Sequence, residues 1–204
     1  MVATVAILLL ATPFTHAEMM HLAIDPAKTE ITASVMEPLS RLRDQQYADG
    51  TFRVVSGEID GDPANVAATG HVKLEIDPTS YSSGNDARDR NVLSSTLETR
   101  LYDKITFEST RIEDIDMDAP TVGKATIVGN LTLHGTTLSM RVPVNVSISP
   151  EGVLTGSGEV TFKYTDFGMK APRLLFALPA SNEVTVKFRV IATRSATGVP
   201  QASN

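Results

Sequence analysis

Apolar and polar residues alternate along much of this chain, which is the pattern of strands that bury one face. At the start of one segment, Ile105 and Phe107 alternate with Thr106 and Glu108. Successive side chains of a β-strand point to opposite faces of the sheet, so a period of two residues indicates one dry and one wet face. We therefore expect an all-β protein.

The alternation also predicts which side chains point toward the interior. The expected strands include residues 29–36, 51–60, 67–77, 122–134, 139–148, 153–164 and 183–192, together with one that begins at Ile105. Their inward positions include Val72, Leu74, Ile76, Ile105, Phe107, Ile127, Leu131, Leu133, Val144, Gly156, Gly158, Val160, Phe162 and Phe188. Because Gly156 and Gly158 share the inner face with larger residues, they favour either curvature of the strand or free space beside it.

Turns, loops and one helix connect these strands. His134 and Gly135 lie between two alternating segments and predict a hairpin. Residues 88–101 place apolar side chains at helical spacing and predict one short helix. Residues 38–50 and the acidic residues 113–119 are expected to form loops.

The expected strands number eight or nine and are mostly antiparallel. A closed barrel of about eight strands has room for side chains or for one small ligand. A two-layer sandwich has nearly the same spacing of strands along the sequence. The alternation by itself leaves both architectures open.

The first residues have the pattern of a secretory signal peptide. Residues 3–11 are apolar and are followed by the small-residue sequence Thr15-His16-Ala17. The chain is then divided into a signal peptide (1–17), a barrel domain (18–194) and a flexible C-terminal tail (195–204). The apolar stretch is shorter than the about 20 residues that span a bilayer. We expect a periplasmic or secreted protein without stable membrane insertion after cleavage.

Composition narrows the function. The formal net charge is −6, and an acidic surface repels the phosphates of nucleic acids. Cysteine is absent, which excludes disulfides, thiolate zinc sites and cysteine nucleophiles. The sequence contains no serine-nucleophile elbow, no phosphate-binding loop and no histidines at metal-site spacing. We expect no enzyme, no cofactor, no metal and no nucleic-acid partner.

A polar cluster precedes the predicted helix, next to the expected mouth of a barrel. It contains Asn85, Arg88 and Asp89. The planar guanidinium of Arg88 is suited to an anionic head group. Alternatively, the cluster caps the helix, since Asn and Asp side chains accept hydrogen bonds from the N–H groups of a first turn.

Six short segments, in order along the chain, match the pattern of one known family. They are Ile24-Asp25-Pro26, Gly57-Glu58-Ile59, Asn85 with Arg88-Asp89, Ile105-Thr106-Phe107-Glu108-Ser109-Thr110, Gly129-Asn130-Leu131-Thr132-Leu133-His134-Gly135 and Asp166-Phe167-Gly168-Met169. Their order and spacing resemble the YceI-like family of polyisoprenoid-binding, lipocalin-like periplasmic proteins. The similarity extends over residues 22–192.

The resemblance implies a single antiparallel, lipocalin-like β-barrel of about eight strands with one short helix. It also implies a hydrophobic tunnel for an isoprenoid or a fatty-acid-like lipid. The inward positions named above are then expected to bind the ligand, and Asn85, Arg88 and Asp89 to form the mouth or bind the head group. The expected function is a periplasmic carrier or sequestering protein, and a homodimer is compatible with it. The alternative is a sandwich-like protein-interaction module with a filled core and no lipid.

Overall fold

The computed structural model describes residues 19–36, 47–170 and 181–194, most of which lie in antiparallel strands. The strands are β1 (Met20–Ile24), β2 (Glu30–Met36), β3 (Tyr47–Phe52), β4 (Val55–Gly61), β5 (His71–Ile76), β6 (Ile105–Ala119), β7 (Val122–Leu133), β8 (Thr136–Ile148), β9 (Leu154–Lys163) and β10 (Glu183–Arg194). The helices are a single turn, α1 (Val66–Thr69), and α2, which begins as an α-helix (Asp86–Asn91) and continues as a π-helix (Val92–Thr96). Short 3₁₀ turns lie at Pro78–Ser80 and Tyr164–Phe167.

The ten strand segments form one closed barrel of eight strands. β1 and β2 follow each other along one edge of β10, where Leu22 pairs with Arg194 and Val35 pairs with Val184. β4 and β3 pair with β1 and β2 in the same way. These two interrupted strands and the six continuous strands β5 to β10 close the sheet on itself. The predicted barrel is therefore confirmed.

The turn between β1 and β2 keeps its hydrogen bonds to β10. The N–H of Asp25 donates to the carbonyl of Ile191 at 2.8 Å, and the N–H of Ile191 donates to Oγ1 of Thr29 at 3.1 Å. Thr29 is buried, so its hydroxyl takes the place of a backbone acceptor where the strand is interrupted. The barrel wall remains continuous across this turn.

Strands β8 and β9 pair over only part of their length. Their ladder ends at the pair of Asn145 and Ser157. Pro143 is the next residue of β8 whose backbone faces β9, and its carbonyl oxygen lies close to Gly158 of β9. Because the nitrogen and the carbonyl of one strand residue face the same neighbour, the nitrogen of Pro143 also faces β9, and it has no hydrogen to donate. The proline thus accounts for the end of the ladder.

The acidic segment 113–119 is a strand and not the loop that the sequence predicts. β6 continues to Ala119, and its ladder with β7 contains irregularities, one of them around Asp114, which has a φ of 52°. Ile115 and Met117 still alternate with the acidic residues. Apolar and acidic residues therefore alternate from Asp114 to Asp118, although their acidity suggested a solvated loop.

Two further segments differ from the prediction. Residues 47–50, expected within a loop, belong to β3, because they pair with β2 and pairing overrides a weak strand propensity. Residues 67–69, expected at the start of a strand, belong to α1, and the N–H of Gly70 donates to the carbonyl of Val66 at 2.8 Å to close its turn. β5 accordingly begins only at His71.

The short helix is confirmed, with different ends from the predicted 88–101. α2 begins at Asp86 because the side chain of Asn85 accepts hydrogen bonds from N–H groups of the first turn. Its helical residues end at Thr96, and Glu98 follows with a φ of 46°, a left-handed conformation that does not continue a helix.

Some predicted features lie outside the described residues. These are the signal peptide (1–17), the C-terminal tail (195–204) and most of the predicted loop 38–50. They remain predictions.

Candidate functional site

A cavity of about 740 Å³ lies inside the barrel. Thirteen of the fourteen inward positions expected from the sequence line it, namely Val72, Leu74, Ile76, Ile105, Phe107, Ile127, Leu131, Leu133, Val144, Gly156, Val160, Phe162 and Phe188. Gly158 does not line this cavity. The alternation therefore located the cavity wall, and the role of these residues in binding a ligand remains a prediction.

The cavity is polar at its ends and apolar between them. We call the end that carries α2 and the β7–β8 turn the helix end, and the end that carries α1 and the β6–β7 turn the far end. Of the described lining residues that carry a charge, Arg88 lies at the helix end, and Asp60 and Lys124 lie at the far end. The middle is formed by aliphatic and phenylalanine side chains, which suit a ligand without hydrogen-bonding groups along its length.

At the helix end, the loop before α2 is fixed to the helix by Asp89. Its Oδ1 accepts hydrogen bonds from the N–H of Ser83 at 2.9 Å and from the hydroxyl of Ser83 at 2.5 Å. Partial burial opposes ionisation, but the hydrogen bonds from Ser83 and Ser82 hold the pKa of Asp89 below its usual range. The ionised carboxylate thereby orients the loop that carries Tyr81.

Tyr81 lies against β3 at a position that only glycine permits. A Cβ on Gly50 would overlap the ring of Tyr81. The Tyr81 ring also contacts Phe52, with ring centroids 5.4 Å apart in an edge-to-face arrangement. The missing side chain of Gly50 therefore lets the phenol ring lie on the strand and line the cavity.

Two tyrosines at the helix end are kept protonated. Burial, together with the carboxylate of Asp89, raises the pKa of Tyr81, and burial, together with Tyr81, raises the pKa of Tyr164. Both line the cavity. At neutral pH each therefore carries a phenolic O–H, which is a hydrogen-bond donor as well as an acceptor.

The three residues predicted to form the mouth have different positions. Arg88 lines the cavity. Oδ1 of Asn85 accepts hydrogen bonds from the N–H groups of Ala87 and Arg88, each at 3.1 Å, so Asn85 caps α2. Asp89 binds the preceding loop as described above. The capping interpretation therefore fits Asn85, and of the three residues only Arg88 borders the cavity.

The two glycines of β9 have different surroundings. A Cβ on Gly156 would meet no atom within 4 Å, so free space adjoins this residue. A Cβ on Gly158 would overlap the carbonyl of Pro143 and lie 2.9 Å from the ring of Phe188, its pairing partner on β10. Gly158 thus accommodates Phe188 and leaves no room for a ligand, contrary to the expectation from the sequence.

At the far end, the cavity reaches the protein surface. Val66, Ile115 and Met117 line it and are also 36%, 40% and 53% exposed. Asp114 and Asp116 stand at the alternate positions of the same strand, outside the cavity. Apolar side chains therefore form part of the rim, beside Asp60 and Lys124, of an opening through which a long chain can enter or extend.

Sequence reasoning missed the residues that approach the cavity from outside the strands. Tyr81 and Tyr164 lie in short connecting segments, and Thr96 lies at the end of α2. Periodicity assigns a face only within a strand or a helix, so it gives no direction for a loop side chain. This applies to Tyr81, an isolated aromatic residue in a Ser-rich loop. Tyr164 ends the predicted strand 153–164 on the face of Val160 and Phe162, and Thr96 follows Val92 by one turn of the predicted helix, so the pattern did carry a signal for these two.

Two other features, a membrane-spanning helix and a cluster of metal ligands, are absent from the described residues. None of the helices there is long and apolar enough to span a bilayer. The same residues contain no group of three or more His, Cys, Asp or Glu side chains placed to hold a metal ion.

Comparison with known sequences identifies a family. The family model described as the YceI-like domain matches residues 22–192. A UPF0312 protein of Vibrio cholerae is 35% identical over 92 residues, and one of Vibrio parahaemolyticus is 33% identical over the same length. Each match covers 45% of this chain and 46% of the relative, so it spans about half of the relative's length.

Solved structures share the fold. BcnA of Burkholderia cenocepacia superposes with a TM-score of 0.70 at 24% identity, covering 83% of this chain and 99% of BcnA. A polyisoprenoid binding domain from Saccharophagus degradans, implicated in plant cell wall breakdown, gives a TM-score of 0.69 at 17% identity, covering 87% of this chain and all of that domain. At such identities these similarities establish the fold.

Proposed function

The chain belongs to the YceI-like family, and on this premise we propose that it is a periplasmic protein that holds an isoprenoid or another long-chain amphiphilic lipid inside its barrel. It acts as a carrier or as a sequestering protein. The observation on which this proposal depends is the apolar cavity of about 740 Å³ that reaches the surface at the far end. The polyisoprenoid binding domain of Saccharophagus degradans supports the class of ligand.

The cavity wall can supply the binding free energy for a long chain. Burial of a methylene group contributes about 0.8 kcal/mol, so a chain of about twenty carbons contributes up to about 16 kcal/mol before the costs of association. Those costs are about 4–15 kcal/mol. Only a chain that fills much of the cavity therefore binds tightly, which favours long lipids over small apolar molecules.

The alternative function, an interaction module with a filled core, is less compatible with the structure. A filled core packs its inward side chains against one another, at a density that leaves few voids larger than a water molecule. Here Gly156 adjoins free space, and inward residues of all eight barrel strands border one cavity. We therefore favour the binding protein over the interaction module.

The absence of catalysis and the cellular location are part of the same proposal. Buried aliphatic side chains offer no nucleophile and no general base to a bound chain. A lipid that must cross an aqueous compartment has to be shielded from water, and the periplasm is such a compartment. Residues 1–17, with the pattern of a signal peptide, support export to it.

Native mass spectrometry of the purified protein, followed by lipid extraction, tests the proposal. We expect an adduct that dissociates on denaturation and is recovered in the organic phase as a long-chain amphiphile. The stripped protein should then bind geranylgeraniol in a titration. Protein that carries no adduct and binds neither geranylgeraniol nor oleic acid would contradict the proposal.

A further inference from the structure

Thr96 is a buried polar residue whose hydroxyl has no hydrogen-bond partner among the described residues. Its side chain lines the helix end of the cavity and is 2% exposed. Within the described part of the chain, its Oγ1 has no hydrogen-bond partner. An unsatisfied buried hydroxyl is unfavourable, and such groups are rare in folded proteins. Its presence at the cavity wall therefore requires an explanation.

The two phenols of the helix end lie at the same part of the cavity. Tyr81 and Tyr164 line it, and they are close enough to influence each other electrostatically. Both tyrosines pack in one hydrophobic cluster that also contains Val92 and Leu97, which lie one turn before Thr96 and directly after it in the sequence. Three residues that carry hydroxyl groups thus line the cavity at one end, whereas its middle is apolar.

The charges around these hydroxyls do not favour an anion. Arg88 is the cation of the described lining at this end, but Asp89 and Asp49 are close enough to act on Tyr81 electrostatically. Of these three charged groups that act on Tyr81, two are carboxylates and one is a guanidinium. A diphosphate would be repelled by the carboxylates, whereas an uncharged oxygen would not.

From these observations, and resting on the proposed function, we propose that Thr96, Tyr81 and Tyr164 form a polar subsite for the head group of the bound lipid. The head group is uncharged and carries an oxygen, either a hydroxyl or a carbonyl. A threonine hydroxyl changes between staggered rotamers, so Oγ1 of Thr96 can turn toward an oxygen in the cavity. The lipid is then oriented with its head at the helix end and its tail toward Ile115 and Met117 at the far end.

Three probes with the same C20 chain test the subsite: geranylgeraniol, geranylgeranyl diphosphate and the corresponding hydrocarbon without the hydroxyl. In the unmodified protein, we expect the alcohol to bind more tightly than the hydrocarbon and the diphosphate. Thr96→Val keeps the side-chain shape and removes the hydroxyl. It should lower the affinity for the alcohol about three- to tenfold, which is the effect of one net hydrogen bond, and leave the affinity for the hydrocarbon unchanged.

Matched variants control for folding. Thr96→Ser keeps the hydroxyl and should retain the preference for the alcohol. Tyr164→Phe removes only a phenolic oxygen and should lower the affinity for the alcohol in the same way, so the test does not depend on one variant. Thr96→Val should also raise the Tm of the lipid-free protein, because it removes an unsatisfied buried hydroxyl.

The other outcomes separate this inference from the proposed function. Equal affinities for alcohol and hydrocarbon, unchanged in Thr96→Val, would overturn the subsite and leave the lipid-binding function standing. If the diphosphate binds most tightly and Arg88→Gln abolishes that binding, the helix end is an anion site and not a subsite for an uncharged head group. If none of the three probes binds, the subsite is refuted, and the lipid-binding function is refuted with it only when oleic acid also fails to bind.

Discussion

Nε2 of His134 lies 2.6 Å from Oε2 of Glu98, and both residues have left-handed backbone conformations, with φ of 52° and 46°. His134 belongs to the β7–β8 turn, and Glu98 follows α2. The His134 ring also packs on Tyr102, with ring centroids 4.1 Å apart. The pair thus joins the segment after the helix to the barrel at the helix end of the cavity.

Substitutions at Glu98 test this link. Glu98→Ala removes the partner of His134 and should lower the free energy of unfolding by about 1 kcal/mol, since the carboxylate is partly exposed and the pair is screened. Glu98→Gly removes the same partner but adopts the left-handed conformation at less cost, so it should be more stable than Glu98→Ala by about 1 kcal/mol. Urea denaturation measures both. An alanine variant as stable as the unmodified protein would show that the pair does not stabilise the fold.

The two glycines of β9 should respond differently to the same substitution. Gly156→Leu places a side chain in free space. It should therefore lower the affinity for a long isoprenoid more than the affinity for a short one, with little change in stability. Gly158→Leu meets the Phe188 ring and the Pro143 carbonyl, and overpacking of this kind costs about 1–3 kcal/mol. Titration with farnesol and geranylgeraniol, with a denaturant curve for each variant, distinguishes them. Equal losses of both lipids in Gly156→Leu would mean that this space does not hold the chain.

An acidic side chain in the apolar middle of the cavity should abolish binding. Phe107→Asp places a carboxylate among aliphatic residues, and the buried charge should also cost about 3 kcal/mol or more of stability. Phe107→Leu keeps the wall apolar and should preserve the fold and most of the binding. Lipid loading is measured by native mass spectrometry. If Phe107→Asp is folded and fully loaded, Phe107 does not contact the lipid.

The buried tyrosines predict a loss of stability in alkali. The pKa values of Tyr164 and Tyr81 are raised in the folded protein above the ordinary 10.0. The unfolded chain therefore releases these protons first, so the stabilising contribution is complete below pH 10 and falls as the pH rises above it. Tyr164→Phe should reduce the slope of the free energy of unfolding against pH above pH 10. An unchanged slope in that variant would show that Tyr164 is not the group responsible.

The sequence alone determined the class of fold and most of the cavity wall. A period of two residues assigns each strand side chain to one of two faces, so thirteen cavity-lining positions followed from the alternation. The expectation for residues 113–119 was wrong, because a high density of carboxylates suggested a loop although Ile115 and Met117 alternate with the acidic residues. Composition and periodicity conflicted there, and pairing with β7 decided the outcome.

Only the tertiary structure decided which positions are empty, which are filled and where the cavity is polar. Gly156 and Gly158 are equivalent in the sequence pattern, but Phe188 on another strand occupies the space beside Gly158 alone. Tyr81, Thr96 and Tyr164 are separated in the sequence and lie in a loop, a helix end and a 3₁₀ turn, so no local pattern brings the three residues together. Their meeting at one end of the barrel depends on closure of the sheet and on the docking of α2, which are long-range contacts that no local pattern encodes.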